Sequence, residues 1–381
     1  SMEDNNITEI EEIHFNASGT SDGKILGSAS GLGYNASTSS DYHYFQTEGI
    51  SRLRIKTTNV ELVSGNHFNA MSSGFIGFHA AKRFLSLGYA VIGLDSLNDY
   101  YEVSLKNARL NQLECHENFE FYKVDIADYE ALVDVTKDKE ITYILHLAAQ
   151  AGVRYSLEMP RSYIRSNVLG HLNILELARN TPAIKHIVYA SSSSVYGDKS
   201  KSAFKETDIV NSPASLYAAT KISGEMIAES YSKLYGINQT GLRFFTVYGP
   251  WGRPDMAYYI FTDKIFNKEP IELFSPEKMT RDFTYIDDII DVLPRVLEST
   301  PSNLHAIYNL GNSNPNTLMQ LVEAIETACE ASTQKVILKK QNGDVSYTHA
   351  DINAAKRDFG FAPRVELKDG IKNFVDWYKN Y

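Results

Sequence analysis

From about residue 59 onwards, short apolar runs alternate with longer segments whose apolar residues recur every three or four positions. Runs of the first kind predict buried strands, and segments of the second kind predict amphipathic helices. The strand pattern is clearest in AVIGLD (90–95), YILHLAA (143–149), HIVYASSSSVYG (186–197) and TGLRFFTVYG (240–249). This alternation predicts an α/β fold, a doubly wound parallel sheet of the Rossmann type.

The pattern differs at both ends of the chain. Residues 1–58 are rich in Ser, Gly, Asn and Thr and have no sustained helical period, so we predict an irregular extension that contains at most short strands. After about residue 250 the strand–helix rhythm loosens. We therefore predict a Rossmann domain over 59–250 and a smaller region over 251–381 that caps the sheet.

The segment from Ile76 to Leu87 has apolar residues at helical spacing and stops at Gly88. Gly74-Phe75-Ile76-Gly77 leads into it, and a glycine turn before a helix N-terminus is typical of a site for the pyrophosphate of a dinucleotide. Asp95 ends the next strand, where its carboxylate would bind the adenosine ribose hydroxyls and repel a 2'-phosphate. NAD is therefore predicted rather than NADP, although a solvated turn is the alternative role for Asp95.

Two registers compete for the first glycine of this loop. In the first register, NVELVSG (59–65) is the strand, Gly65 closes it, and NHFNAMSS (66–73) is inserted before Gly74. In the second register, HFNA (67–70) is the strand and Met71 stands where the turn glycine belongs. We favour the first register because NVELV is the more apolar segment. The second stays open.

Composition narrows the possible partners and compartments. The chain has 381 residues and a net charge of -10, which argues against a broad surface for nucleic acid or an anionic membrane. Its two cysteines are far apart, so neither a disulfide framework nor a metal site is predicted. No apolar run approaches the roughly 18 residues of a membrane span. We predict a cytoplasmic protein; a membrane anchor removed upstream stays open.

The serine run 191–194 ends a predicted strand, and SLYAATKISGE (215–225) follows it. Tyr217 and Lys221 are four residues apart, which places phenol and ammonium on one helix face. The cation is expected to lower the pKa of Tyr217, which then serves as a general base. Ser192 would bind the same substrate oxygen, with Ser193 or Ser194 as alternatives. A Tyr–Lys pair is also common on surfaces, but its order after a glycine loop and Asp95 favours catalysis.

Together these residues resemble the extended short-chain dehydrogenase/reductase family of nucleotide-sugar enzymes. The resemblance runs from residue 59 or 72 to the C-terminus. It rests on LDSLNDYYEVSLKNARL (94–110), AAQAGVRYSLEMPRSYIRSNVLG (148–170), GLRFFTVYGPWGRPDMA (241–257) and RDFTYIDDI (281–289). Within the family, these motifs are most similar to those of enzymes that epimerise UDP-glucuronate at C4.

The resemblance implies conversion of UDP-glucuronate to UDP-galacturonate through a 4-keto sugar, with tightly bound NAD. It places Asp125 and Ile126 by the adenine, Ala148 and Ala149 by the cofactor, and Lys221 on the nicotinamide ribose. It also implies a homodimer formed through the helix that carries Tyr217.

An anionic sugar nucleotide needs local positive charge, and an arginine fork can hold phosphate or carboxylate with two hydrogen bonds. Arg154, Arg253 and Arg281 lie in the motifs. By resemblance, Arg253 and Arg281 serve the diphosphate, Arg154 and the Arg253 loop sense the carboxylate, and Thr246 contacts the sugar. Solvent-exposed arginines are the alternative for each.

Other functions stay open. Decarboxylases of this family usually carry an acid just after the catalytic Ser or Thr, whereas here Ser193 and Ser194 precede Val195, which favours epimerisation. An epimerase for UDP-glucose, a neutral sugar, is less favoured because of the arginines. The altered glycine loop suggests a nucleotide-sugar-binding pseudoenzyme as a further alternative. Arg165 stands where an acidic residue is expected.

Overall fold

The computed structural model describes residues 72–198, 202–301, 303–339 and 345–381, together with the backbone of the strands between residues 12 and 70. The chain divides into two compact units, Ser1–Gly65 and Asn66–Tyr381.

The first unit contains short antiparallel strands. They are β1 Glu12–His14, β2 Lys24–Leu26, β3 Leu32–Asn35, β4 Tyr42–Thr47, β5 Arg52–Lys56 and β6 Asn59–Val63. Strands β1 and β2 form a pair, and β3–β4–β5–β6 form a four-stranded sheet. Short strands were expected in this extension, whereas the four-stranded sheet was not.

The second unit contains the remaining strands. They are β7 Asn66–Ala70, β8 Ala90–Asp95, β9 Phe119–Lys123, β10 Ile141–His146, β11 His186–Ser192, β12 Gln239–Phe244, β13 Thr246–Tyr248, β14 Ile271–Phe274, β15 Thr280–Arg281, β16 Phe283–Tyr285, β17 His305–Leu310, β18 Asn316–Thr317 and β19 Lys335–Leu338. Seven of them form one parallel sheet in the order β9-β8-β7-β10-β11-β12-β17. The direction of winding reverses between β7 and β10, as in a doubly wound sheet, and ligands bind at the carboxyl ends of the strands beside such a reversal.

Helices connect these strands. They are α1 Phe75–Ser86, α2 Val103–Glu114, α3 Tyr129–Thr136, α4 Tyr155–Glu158, α5 Pro160–Tyr163, α6 Gly170–Arg179, α7 Leu216–Tyr235, α8 Ala257–Phe266, α9 Ile286–Glu298, α10 Leu318–Cys329, α11 Asn353–Phe359 and α12 Leu367–Asn380. Helix α1 buries Phe78, Ala81 and Phe84 in the main hydrophobic core, together with Leu145 and Val188 from the sheet. The helix predicted to stop at Gly88 is thus confirmed.

The favoured register for the glycine loop is wrong. Strand Asn59–Val63, which we expected to open the parallel sheet, pairs antiparallel with Arg52–Lys56 in another sheet. The less apolar segment Asn66–Ala70 is the central strand, paired with β10 and β8. A central strand has hydrogen-bonded neighbours on both sides, and that tertiary context overrides intrinsic strand propensity. Gly65, which was to close the first strand, lies outside the described residues.

The parallel sheet extends beyond residue 250, because its last strand is His305–Leu310. The later part of the chain also adds two small parallel pairs, β13–β16 and β14–β19, and the antiparallel pair β15–β18. Strand β13 follows β12 after one residue, so the β13–β16 pair stands beside the carboxyl end of β12. The second unit therefore mixes sheet and capping elements after residue 250.

Candidate active site

The carboxyl ends of the parallel strands open into a cavity of about 830 Å³. Its wall contains Asp95 from the end of β8 and segments 149–155, 190–194 and 244–247, which follow or end β10, β11 and β12. Residues from strands β14, β15 and β16 and from α8 also line the wall, among them Glu272 and Lys264. The cavity thus occupies the position at which doubly wound sheets bind nucleotides.

Helix α1 points its first turn at this cavity. Gly74 is the N-cap residue in an extended conformation, and Phe75, Ile76 and Gly77 line the wall with it. The first turn carries no acidic side chain, and Gly74 has no side chain that could cap the helix. Such a helix N-terminus favours an anionic group through its amides and its dipole.

Asp95, the last residue of β8, lines the same cavity. Its side chain is 9% exposed, and its Oδ1 accepts a hydrogen bond from the amide of Leu97 at 2.8 Å. This hydrogen bond holds the Asp95 carboxylate at the cavity wall through Oδ1. This position suits the ribose-binding role expected from the sequence.

The remaining residues expected around the cofactor divide into two groups. Ala149 lines the cavity, whereas Asp125, Ile126 and Ala148 do not. Oδ2 of Asp125 accepts hydrogen bonds from both Nε and Nη2 of Arg165, at 3.0 and 2.9 Å. Ile126 is buried in the hydrophobic cluster below β8 and β10. Their contacts with adenine therefore stay predictions.

Ser192, Tyr217 and Lys221 all line the cavity. Ser192 ends β11, while the Ser215 side chain caps α7 by accepting from the amide of Ala218 at 3.1 Å, which sets Tyr217 in the first helical turn. The ammonium of Lys221 donates to the carbonyl of Ala190 at 2.9 Å and lies 6.0 Å from the centre of the Tyr217 ring. The sequence thus correctly predicted that the three would lie together.

The electrostatics of this group differ from expectation. Burial raises the pKa of Tyr217, while a hydrogen bond with Ser192 and the charge of Arg253 act in the opposite direction. Burial also lowers the pKa of Lys221 to about 8, opposed by Glu225. The predicted lowering of the Tyr217 pKa by Lys221 is therefore wrong for the protein alone, because desolvation outweighs nearby charge.

A buried ion pair holds the end of β11, the strand that ends at Ser192. Arg243 donates to both carboxylate oxygens of Glu225, at 2.8 and 2.7 Å, and both side chains are almost fully buried. Ser191 donates to the same carboxylate at 2.5 Å. Ser191 precedes Ser192, so the ion pair holds the end of β11 beside this candidate catalytic residue.

The predicted arginines and Thr246 also reach the cavity. Arg253 holds Asp255 through two hydrogen bonds of 2.9 and 2.7 Å, and Tyr100 donates to the same carboxylate. Burial lowers the pKa of Arg253, but the pairing with Asp255 outweighs burial and raises it overall. The guanidinium of Arg154 lies 4.8 Å from the centre of the Phe274 ring. Arg281 donates to two backbone carbonyls, those of Thr280 and Val345.

Sequence reasoning missed several wall residues. Tyr100, Lys106 and Asp255 line the cavity, and all three stand inside the quoted motifs. Tyr100 fits because residue 152 is a glycine at φ +95°, where an added Cβ would overlap the phenol oxygen. Proximity of Asp255 to Arg253 in the sequence was the signal for their pairing.

The residues present fit NAD. The N-terminus of α1, where no side chain caps the free amides, suits a pyrophosphate. The Asp95 carboxylate suits ribose hydroxyls. Lys221 presents a cation near Tyr217 in the same cavity. Among the described residues, no cluster of His, Cys, Asp and Glu side chains could hold a metal ion. None of the helices in those ranges is both long and apolar enough to cross a membrane.

Comparison with known proteins agrees with this geometry. The model of the NAD dependent epimerase/dehydratase family matches residues 72–311. UDP-glucuronate 4-epimerase 4 of Arabidopsis thaliana is 44% identical over 87% of this chain and 78% of its own length. A UDP-glucuronic acid 4-epimerase from Bacillus cereus, solved with UDP-glucuronic acid and NAD, is 32% identical with a TM-score of 0.77, covering 83% of this chain and 99% of that one. The Thermotoga maritima UDP-glucose 4-epimerase, solved with UDP-glucose, is 29% identical with a TM-score of 0.75 over the same shares.

The chain therefore belongs to the NAD dependent epimerase/dehydratase family. The family membership and the Rossmann-type α/β fold predicted from the motifs are both confirmed.

Proposed function

We propose that the protein converts UDP-glucuronate to UDP-galacturonate by NAD-dependent epimerisation at C4. The observation that carries the proposal is that Ser192, Tyr217 and Lys221 share one cavity with Asp95 and with three arginines. Similarity to enzymes named for this substrate supports it, since the Arabidopsis and Bacillus relatives are both UDP-glucuronate 4-epimerases.

NAD, when bound, accepts hydride from C4 and returns it to the opposite face of the resulting ketone. Tyr217 takes the C4 hydroxyl proton and later returns it, as a general base and then an acid. Ser192 holds the same oxygen by a hydrogen bond. Burial raises the pKa of Tyr217, while the hydrogen bond with Ser192 and the positive charge of Arg253 oppose that rise and so favour proton removal. Lys221 adds a second cation, 6.0 Å from the centre of the ring.

The arginines hold the parts of the substrate that do not react. Arg281 and Arg253 are assigned to the diphosphate, Arg154 and the Arg253 loop to the carboxylate, and Thr246 to the sugar. The 4-keto intermediate is a β-keto acid, which loses carbon dioxide when its carboxylate aligns with the ketone. Contacts that keep the carboxylate out of this alignment prevent the loss in both positions of the sugar. Asp125, Ile126, Ala148 and Ala149 are assigned to the cofactor, and Gly74 to Gly77 to its pyrophosphate.

Epimerisation is favoured over decarboxylation by the residues after Ser192. Ser193 and Ser194 line the cavity, and no carboxylate stands between Ser192 and Val195 to supply an auxiliary acid. Asp255, which does line the cavity, is held by both nitrogens of the Arg253 fork. Pairing lowers the pKa of Asp255 against the effect of burial, which keeps it a carboxylate rather than an acid.

Proton NMR of UDP-glucuronate mixed with purified protein, without added NAD, tests the proposal. The H1 and H4 signals of UDP-galacturonate are expected to appear at constant total uronate, and Tyr217→Phe is expected to lose turnover by about 10³-fold or more while it still binds UDP. Formation of a UDP-pentose would instead identify a decarboxylase.

The residue at position 71 favours a second candidate function. Met71 stands where dinucleotide loops carry their first glycine, so a nucleotide-sugar-binding protein without turnover is the alternative. Protein that binds UDP but neither retains NAD nor binds it when added would support this alternative over the epimerase.

We also propose a homodimer formed through α7, which the family resemblance implies, and a cytoplasmic location, which the composition favours. Leu172, Ile222, Met226 and Ile227 line an apolar groove on this helix and α6, and Met226 is 62% exposed. Ala218 and Ala228 on the same helix are buried within the protomer.

A further inference from the structure

Arg109 is the largest side chain of the described residues that is fully buried, and its environment is unusual for a cation. It lies on α2 with 0% exposure. Each hydrogen bond it makes to a described residue ends on a neutral oxygen, none on a carboxylate. The acceptors are the carbonyls of Ser73, Trp251 and Gly252 and the phenol of Tyr101.

These acceptors belong to two separate loops. The carbonyl of Ser73, which accepts from Nη1 of Arg109 at 2.9 Å, stands directly before Gly74 and the N-terminus of α1. The carbonyls of Trp251 and Gly252 accept from Nη2 at 2.6 and 3.0 Å, directly before Arg253. One planar guanidinium therefore joins the loop proposed for the cofactor pyrophosphate to the loop that carries an arginine proposed for the substrate.

The loop of residues 250–253 contains a strained residue and depends on contacts that hold it in place. Trp251 has φ +60°, a left-handed conformation that non-glycine residues adopt at a cost of about 1 kcal/mol or more. His79 on α1 fixes the preceding carbonyl, since its Nε2 lies 3.0 Å from the Pro250 oxygen. A carbonyl only accepts, so this nitrogen carries the proton, and burial lowers the pKa of His79 to about 4, which keeps the ring neutral.

The contacts continue from this loop into the cavity. Arg253 pairs with Asp255, and Asp255 accepts from Tyr100, the neighbour of Tyr101 in the chain. Tyr101 in turn accepts from Arg109 at 2.7 Å. Arg109 thus links four residues of the cavity wall through hydrogen bonds and adjacent positions in the chain: Tyr100, Tyr101, Arg253 and Asp255.

We propose that Arg109 is a positioning residue that couples binding of the nicotinamide cofactor to binding of the UDP-sugar. The inference rests on the proposed function of the same cavity. Any shift of the Ser73 carbonyl on binding of the cofactor pyrophosphate is transmitted to the Trp251 and Gly252 carbonyls, and so to Arg253. Lysine cannot replace it, because a compact ammonium with three donors does not span three carbonyls and a phenol.

The test compares the wild type with Arg109→Lys and with Arg295→Lys. Arg295 is the matched control, because its Nε also donates to a backbone carbonyl, that of Phe359 at 2.7 Å, and it does not line the cavity. The dissociation constant of NAD is measured with and without saturating UDP, and that of UDP with and without NAD. Reciprocity requires the same coupling factor from both titrations.

For the wild type and Arg295→Lys we expect each ligand to tighten the other by about 5-fold or more, the lower end of usual coupling. For Arg109→Lys the factor is expected to fall to about one, with kcat reduced by about 10²-fold through misplacement of reacting groups. Unchanged coupling in a folded Arg109→Lys, or a wild type without coupling, would overturn the inference.

A second variant covers the case in which Arg109→Lys does not fold. His79→Leu removes the hydrogen bond to the Pro250 carbonyl and the edge-on ring contacts with Phe75 and Phe78, and leaves the contacts of Arg109 in place. It is expected to weaken the same coupling, and full wild-type coupling in it would count against the inference. Because these titrations need no turnover, they are independent of whether UDP-glucuronate is epimerised. A protein that couples NAD and UDP through Arg109 but makes no UDP-galacturonate would contradict the proposed function alone.

Discussion

At the scale of residues, Tyr217 and Lys221 are separated by one helical turn. Burial raises the pKa of Tyr217 and lowers that of Lys221, so it favours the neutral form of both side chains. The lysine has a consequence for stability. Its pKa of about 8 in the folded protein lies below the ordinary value of 10.5, so the unfolded chain binds the proton more tightly between these pH values. Stability contributed by this group therefore rises as pH increases from 8 towards 10.5, and below pH 8 its full penalty is present.

Lys221→Met removes this penalty. At pH 7 we expect the free energy of unfolding to rise by about 2 kcal/mol, after allowing for the lost hydrogen bond to Ala190, while epimerase activity disappears. Urea unfolding at pH 7 and pH 9.5, without added nucleotide, measures the effect. A variant less stable than the wild type at pH 7, or one whose gain is the same at both pH values, would contradict the assigned shift.

Residue types at fixed spacing were the part of the site most accessible from sequence. Tyr217 and Lys221 follow from helical periodicity, and Asp95 follows from its place after a buried strand. Arg109 could not be found in this way, because all its acceptors except the Tyr101 phenol are backbone carbonyls, more than 30 residues away in one direction and more than 140 in the other. Backbone acceptors have no residue signature in the sequence.

At the scale of elements, the loop between β7 and α1 is where sequence reasoning failed. Strand propensity favoured 59–63, yet the chain uses 66–70 as the central strand of the sheet. The alternation of strands and helices from Ala90 onwards was predicted well, because long helices between short apolar runs allow few other arrangements. A single polar strand in the middle of the sheet carries no such periodic signal.

The corrected register leads to a prediction for Met71, which takes the position of the first glycine in dinucleotide loops. Met71→Gly removes a side chain at the point where the backbone of such loops approaches the pyrophosphate. We expect it to tighten NAD binding by about 10-fold, or about 1.4 kcal/mol. Met71→Leu, which keeps a side chain of similar size, is the control and is expected to match the wild type in an NAD titration. Equal affinities for glycine and leucine at this position would show that the substitution is neutral.

At the scale of the whole molecule, the proposed dimer depends on an apolar groove on α7. Met226 is the most exposed large side chain that lines this groove. A charge at this position would have to be buried without a partner when two protomers associate. Met226→Glu is therefore expected to shift the wild-type dimer mass to that of the monomer in light scattering. Glu229→Gln, on the same helix outside the groove, serves as control; a monomeric wild type would refute the proposed dimer.

The central claim is that a single cavity oxidises C4 and then reduces it again without releasing the hydride. UDP-glucuronate deuterated at C4 tests this most directly, in the presence of unlabelled NAD in solution, with the product analysed by NMR and mass spectrometry. We predict UDP-galacturonate that retains its deuterium at C4, because the same bound cofactor takes and returns it. Product that carries hydrogen at C4, or no product at all, would contradict the account.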